Sequence, residues 1–257
     1  MTFAVSGQVY ERFMGRYSRL LAPLLADFAG IEPPARVVDV GCGPGALAEE
    51  LVARVGAASV AAADPSEPFV EACRARVPGA DVRLAPAESL PWADGSFDAA
   101  VSQLVVNFMR DANAGVREMQ RVVVAGGVVA ACTWEYGDGM RMLCTFWKAA
   151  LAVDPEAPDE GRVMRFQTEA DVDALWQETG VRDVETAPLD VAVEYDDFDD
   201  YWLPFESGIG PAGTYCVSLG PKARTAVRNE CFRLLGEPAG PFTLTARAWA
   251  VRGKKPG

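Results

Sequence analysis

Residues 37–46 read VVDVGCGPGA, and no other stretch of the chain restricts its fold so tightly. A β-branched run suits a buried strand. Here it ends around Asp39, and glycines at 41, 43 and 45 then lead into apolar positions at helical spacing. Glycine belongs where the backbone must turn sharply or approach a ligand with no Cβ in the way. The helix that follows offers unpaired N–H groups and the positive end of its dipole to whatever sits there. The same pattern also suits a tight strand-to-helix turn with no ligand, so the rest of the chain has to decide.

It does so by rhythm. Short apolar runs at 35–40, 59–63, 81–84, 97–102 and 127–133 alternate with helical spacings over 46–55, 68–77 and 116–124, the last opened by Asp111 or Asn113 as a cap. Strands alternating with helices predict βαβ units and a mostly parallel sheet. Helical spacing over 7–29 precedes them, interrupted by Gly15 and Pro23. After Trp134 the pattern changes: helices over 138–152 and 169–179 flank an acidic, Pro-containing loop at 154–161, followed by a strand over 181–193, a helix over 222–235 and a closing strand over 242–251.

Composition narrows the function classes. The chain has 257 residues, 36 acidic and 24 basic, a net charge of −12. Such a chain repels phosphate backbones and anionic lipid, which argues against nucleic acid or membrane as partner. The most apolar stretch, 122–132, is too short to span a bilayer, for which roughly 20 residues are needed. Met1 to Phe13 does not read as a secretory signal, so a cytoplasmic protein is expected. Six cysteines without a CxxC pair suggest no disulfide framework and no metal site. Histidine is absent altogether, which removes Ser-His-Asp triads, Cys-His dyads and the commonest general base near neutral pH.

Two more features sharpen the glycine loop. Val60 to Asp64 reads as a strand ending in an acid, placed to accept hydrogen bonds from both hydroxyls of a ribose, although Asp64 could equally cap the next helix. Ala87 to Trp92 and Gly95 to Ser102 bring polar groups to the carboxyl edge of the sheet, where open α/β folds bind ligands.

At this point the chain resembles the class I S-adenosylmethionine-dependent methyltransferases, through VVDVGCGPG, AADPS, APAESLPWADGSFDAAVS and MQRVVVAGGVVA over residues 36–132. The segments YERFMGRYSRLLAP (10–23), FDDYWLPF (198–205) and LTARAWAVRG (244–253) look like a bacterial branch of that family. The resemblance implies a doubly wound, Rossmann-like α/β fold: a seven-stranded, mostly parallel sheet with an antiparallel last strand, an N-terminal helical segment and a helical insertion after strand five. It implies one methyltransferase domain over 1–257, divided into a helical cap (1–30), a cofactor-binding core (35–134), substrate-side insertions with strand six (135–240), and a closing strand and tail (241–257).

For the cofactor, S-adenosylmethionine leaving as S-adenosylhomocysteine, the family's pattern falls on Gly41, Gly43 and Gly45 around the methionine part, with Asp39 orienting the loop and the amino group. Asp64, followed by Pro65, falls on the ribose, the Ala87 N–H and Glu88 on the adenine edge, and Gln103 near the methionine. Arg16 is a partner for the cofactor carboxylate, which a guanidinium grips bidentately, or else a surface ion pair. Pro86 stands where many relatives carry an acid on the adenine amino group, and Asn107-Phe108 where relatives often carry histidine.

Methyl transfer is an in-line displacement governed by alignment. Without histidine, a base would have to come from Tyr10, Tyr17, Tyr136, Glu135, Asp138 or Tyr215, with Asn107 a further catalytic candidate. An acceptor that is already nucleophilic or acidic follows: a carboxylate, phenolate, amine or activated carbon. Met14, Tyr17, Asn107, Trp134 and Trp202, joined by large residues such as Met140, Trp147, Phe166, Phe205 and Tyr215, are expected around a small-molecule pocket, or else in the core. The acidic run 194–200 reads as a helix cap and solvated face. A monomer or homodimer is expected. Two other readings remain: an S-adenosylmethionine-binding protein or repurposed fold without methyl transfer, and an NAD-dependent oxidoreductase, since Gly41-x-Gly43-x-x-Ala46 fits GxGxxA.

Overall fold

The structure, a computed structural model, describes residues 11–257. A π-helical turn, Glu11–Gly15, leads into α1 (Arg16–Phe28). Five strands follow, β1 (Val37–Val40), β2 (Val60–Asp64), β3 (Asp81–Leu84), β4 (Phe97–Gln103) and β5 (Val123–Trp134), separated by α2 (Ala46–Val55), α3 (Glu67–Arg76) and α4 (Ala112–Val122). Beyond β5 come α5 (Arg141–Val153), α6 (Glu169–Glu178), β6 (Arg182–Tyr195), α7 (Phe198–Trp202), α8 (Gly210–Ser218), α9 (Pro221–Leu234) and β7 (Phe242–Lys254).

The sheet order is β3-β2-β1-β4-β5-β7-β6. Pairs β1–β2, β2–β3, β1–β4 and β4–β5 are parallel, and β7 runs antiparallel between β5 and β6. This is the doubly wound sheet the sequence predicts. β1 and β2 are buried along their whole length, as strands covered by helices on both faces must be. One core joins α1, α2 and α5 to one face; a second joins α4 and α6 to the other. The chain winds outward from β1 to β3 and then crosses back to β4, so strand order reverses between β1 and β4. Open α/β sheets hold their ligands outside the carboxyl ends of the strands at such a reversal.

The β6–β7 ribbon departs from this frame. Trp134 ends the β5 ladder opposite Ala248, which also faces Leu189 of β6. β6 continues for six more residues to Tyr195, paired with Phe242, a reach of about 20 Å at ~3.3 Å per residue. The far strand thereby rises past the carboxyl edge of the sheet toward the start of α1.

Several elements differ from expectation. Pro23 does not interrupt α1, which runs through it with Leu21, Ala22 and Leu25 buried; the expected helix before residue 11 lies outside the described residues. The fourth helix starts at Ala112, not 116, because Asp111 caps it by accepting from the Ala114 N–H at 3.0 Å. β5 begins at Val123, its start masked in sequence by Gly126 and Gly127. Helix α7, only five residues long, follows the acidic run expected to cap a helix, whereas α8 has no counterpart in the expected pattern, with glycines and a proline in its first turns. All six cysteines are buried and unbridged.

Candidate cofactor site

A cavity of about 540 Å³ opens at the β1/β4 reversal. Of the residues singled out by sequence, Asp39, Gly41, Gly43, Asp64, Pro65, Ala87, Glu88 and Gln103 line it. The glycine loop is pinned across the sheet, with the Gly41 and Cys42 N–H groups both donating to the Ala63 carbonyl at 2.7 and 3.0 Å. The Gly43 N–H donates to Asp64 Oδ2 at 2.9 Å, and the Ser66 N–H donates to Oδ1 at 2.8 Å. Asp64 thus ties the end of β2 to the loop after β1. Burial raises its pKa, and these two N–H groups pull it back.

The three glycines do different work, all at positive φ. A Cβ at Gly41 would collide with the Val105 side chain, and one at Gly45 would lie 3.0 Å from Cys73 Sγ. Both let segments pack closely. At Gly43 a Cβ meets nothing within 4 Å, because this glycine faces open space beside the cavity. Gly45 itself does not line the cavity, and its service there is to seat α2 against α3.

Asp39 is 1% exposed, and neither carboxylate oxygen has a hydrogen-bond partner. Burial, reinforced by the nearby Asp64 carboxylate, pushes its pKa up to about 8; the Ala48 N–H pulls the other way without reaching hydrogen-bond geometry. An orphaned buried carboxyl costs stability unless a ligand supplies donors. Gln103 repeats the pattern. Its Nε2 donates to the Ser18 carbonyl at 3.0 Å, while its buried Oε1 is unpartnered. Leu104, next along the cavity wall, sits at φ 63°, a strained conformation of the kind that collects at functional sites.

At the other end, Pro86, Ala87 and Glu88 form one wall, and Glu88 Oε1 accepts from the Asp111 N–H at 3.2 Å. Phe69, Leu104, Val105 and Phe108 supply apolar lining, and Arg110 the cation. Of these five only Phe108 was named, as standing where relatives often carry histidine; the signal available for the others was their position just after β2 and β4.

The other residues expected at the site lie outside the cavity lining. Arg16 does not line the cavity, because its guanidinium is held by Asp200 through Nη1 to Oδ2 at 3.0 Å and Nη2 to Oδ1 at 2.8 Å. Tyr17 is fully buried, its hydroxyl 2.9 Å from that of Tyr195, and burial drives its pKa far up, so it is no base. Trp134 packs edge-on against Tyr17, and Trp202 donates to Glu206 at 2.8 Å; both are buried. Met14 packs against the same core. Phe205 stacks on Phe146 with ring centres 4.5 Å apart. Asn107 is buried with its Oδ1 unpartnered, and Tyr136 is buried behind α5; neither lines the cavity. Among the other base candidates, Asp138 pairs with Lys148 at 2.7 Å, Tyr215 donates to Asp154 at 3.3 Å, Glu135 lies outside the cavity lining, and Tyr10 lies outside the described residues. In the acidic run, Asp197 caps α7 by accepting from the Asp200 N–H.

No helix among the described residues is long and apolar enough to cross a membrane, and no cluster there could hold a metal ion.

Comparison with known proteins agrees with this geometry. Residues 38–131 match the family described as "Methyltransferase domain". The malonyl-[acyl-carrier protein] O-methyltransferase of Geobacter sulfurreducens is 34% identical over 181 residues, 69% of this chain and 65% of that protein. The chain thus spans just under two thirds of that relative's length. A solved structure from Anaeromyxobacter dehalogenans, assigned as a type II methyltransferase, superposes with a TM-score of 0.66 at 20% identity, covering 93% of this chain and 96% of its own. The [4+2]-cyclase SpnF gives 0.57 at 17%, covering 93% and 82%. At those identities the likeness shows the fold alone. The sheet and its cavity define a Rossmann-like α/β protein built to hold a ligand at the carboxyl edge. With the matched motifs, residues 38–131 form a methyltransferase domain, the part of the chain that resembles the class I S-adenosylmethionine-dependent methyltransferases.

Proposed function

We propose that this protein transfers a methyl group from S-adenosylmethionine to a small-molecule acceptor. The observation that carries the reading is Asp39, a buried carboxyl with two unsatisfied oxygens at the wall of a cavity of about 540 Å³. S-adenosylmethionine would supply an activated methyl group on a sulfonium and, at its far end, an α-ammonium with three N–H donors. Asp39 would accept from that ammonium. Asp64, already fixed by the Gly43 and Ser66 N–H groups, would accept from the ribose hydroxyls. The Ala87 N–H and Glu88 would address the adenine edge across Pro86, and Gly43 would let the backbone approach without a Cβ. Phe69, Leu104, Val105 and Phe108 would exclude water from the reacting centre, which leaves a nucleophile less solvated.

The chain's main contribution is orientation, in favourable cases worth roughly 7–11 kcal/mol. No histidine is present, and the buried tyrosines cannot accept a proton near neutral pH. The acceptor is therefore an O, N or C nucleophile that needs no histidine base. A malonyl group, which the relatives' name specifies, falls within that class. The chain works as one methyltransferase domain over 1–257, as a monomer or homodimer in the cytoplasm, with no nucleic acid as partner.

Turnover tests the proposal. Purified protein is given S-adenosylmethionine with panels of carboxylates, phenols, amines and acidic carbon compounds, and S-adenosylhomocysteine release is followed by mass spectrometry. Release with one of these classes, and none with neutral aliphatic alcohols, is expected. Tight cofactor binding with no release under any panel would place the chain among proteins that use the fold without methyl transfer.

A further inference from the structure

Three successive residues at the start of α1 tie it to α7, β6 and β4. Arg16 grips Asp200 through two hydrogen bonds, with its guanidinium carbon 4.7 Å from the centre of the Tyr195 ring. The Tyr17 hydroxyl meets that of Tyr195 at 2.9 Å, and its ring lies edge-on to Trp134. The Ser18 carbonyl accepts from Gln103 Nε2 at 3.0 Å, and Ser18 and Gln103 both line the cofactor cavity. The orientation of the Gln103 amide follows from chemistry: a carbonyl only accepts, so the NH2 group must face Ser18 and Oε1 is left over.

Arg16 continues the helical run from the π-helical turn Glu11–Gly15 into α1. Its partner is 184 residues away, in the first turn of α7, carried there by the part of β6 that overshoots the sheet. The pair is partly buried, at 21% and 30% side-chain exposure, and bidentate, the geometry in which an ion pair does more than a solvated surface contact.

We propose that Asp200 is a positioning residue for the cofactor: by gripping Arg16 it holds the first turn of α1 against the cavity, so that Ser18 and Gln103 stay in place as its wall. The inference rests on the reading that this cavity takes S-adenosylmethionine. It stands against the sequence expectation that Arg16 itself grips the cofactor carboxylate. The two accounts predict opposite signs. If Arg16 must leave Asp200 to bind the cofactor, removing Asp200 frees it and tightens binding; if the pair is a latch, removing Asp200 loosens binding.

The test is calorimetric titration of the full chain with S-adenosylhomocysteine, paired with its dissociation rate and the unfolding midpoint without ligand. Asp200→Ala is expected to weaken binding by about tenfold, within the range found for residues that act on a site through others, chiefly as faster dissociation. Arg16→Ala should do the same, and the double variant no more, because both remove one interaction. The swapped pair Arg16→Asp with Asp200→Arg should recover most of the affinity because it restores the ion pair, whereas a merely structural role would show as a fall in the ligand-free unfolding midpoint that accounts for the lost binding. Asp200→Asn, nearly the same shape, carries the comparison if the alanine variant folds poorly. Unchanged or tighter binding in Asp200→Ala or Asp200→Asn overturns the latch. Absence of binding by the unaltered chain overturns the cofactor reading beneath it.

Discussion

The Gly43 N–H donates to Asp64 Oδ2 at 2.9 Å, so the acid that ends β2 is bonded to the loop that follows β1. One carboxylate therefore shapes the glycine loop and faces the cavity, 6% exposed.

Replacing Asp64 should disturb binding more than folding. Hydrogen bonds to a charged group contribute about 1.5–3 kcal/mol, so Asp64→Ala is expected to weaken S-adenosylhomocysteine binding roughly 10- to 100-fold by calorimetry. The loss should exceed any accompanying fall in stability, because Gly41 and Cys42 still bond to Ala63.

The glycines should separate in mutagenesis. Gly45→Ala must fit a Cβ 3.0 Å from Cys73 Sγ at φ 95°, and is expected to cost about 2 kcal/mol or more in urea unfolding. Gly43→Ala has room and carries only the left-handed backbone penalty, about 1–2 kcal/mol. Its methyl, set beside the cavity, should reduce affinity for the adenosyl ligand by a larger factor than Gly45→Ala does at equal folded fraction.

Asp39 makes binding a protonation event. Its pKa of about 8 in the free protein means that it is mostly neutral at pH 7. A cationic ammonium favours the ionised form, so ligand binding at pH 7 should release a proton. Titrations in buffers of different ionisation enthalpy will read this as a slope in the observed heat, and Asp39→Asn should abolish the slope while weakening binding.

Glu160 makes stability pH-dependent away from the cavity. Its carboxylate accepts from Trp147 Nε1 at 2.9 Å, and burial, reinforced by Asp159, pushes its pKa up to about 7. A carboxyl raised in the folded state binds its proton more tightly folded than unfolded. Its contribution is fully present below the ordinary carboxylate range, about 4, and is lost as pH rises through about 7. Urea unfolding at pH 5 and pH 8 should show the chain less stable at the higher pH. Glu160→Gln should narrow that difference, and the part that persists should fall further on Asp39→Asn.

The first half of the fold was legible because each element announces itself locally. Ala46 to Val55 is bracketed by Gly45 and Gly56, and Asp81 to Leu84 by a glycine and a proline-containing loop, so both come out with the expected bounds. The site residues on the strand ends were legible for the same reason: Asp39 and Asp64 sit where short buried runs stop. What could not be read was long-range. Nothing local to Arg16 says that Asp200 will meet it, because that depends on how far β6 overshoots Trp134. Nor does aromatic content tell core from pocket: Tyr17, Trp134 and Trp202 have the sizes a substrate pocket would use, and packing claims them for the core. The wall after β4 was missed because Leu104 and Val105 are plain apolar residues beyond the expected strand end at 102, and only the turn after Gln103 brings them to the cavity.

The central claim is that the cavity takes S-adenosylmethionine, and thermal unfolding with separate ligands tests it most directly. A ligand at 100 times its dissociation constant stabilises by ~2.7 kcal/mol, which for a chain of this size should raise the midpoint by roughly 5–10 °C. The account predicts such a rise with S-adenosylmethionine and S-adenosylhomocysteine, none with NAD or NADH, and loss of the rise in Asp64→Ala. No shift with either adenosyl ligand at millimolar concentration, or an equal shift with NADH, would contradict it.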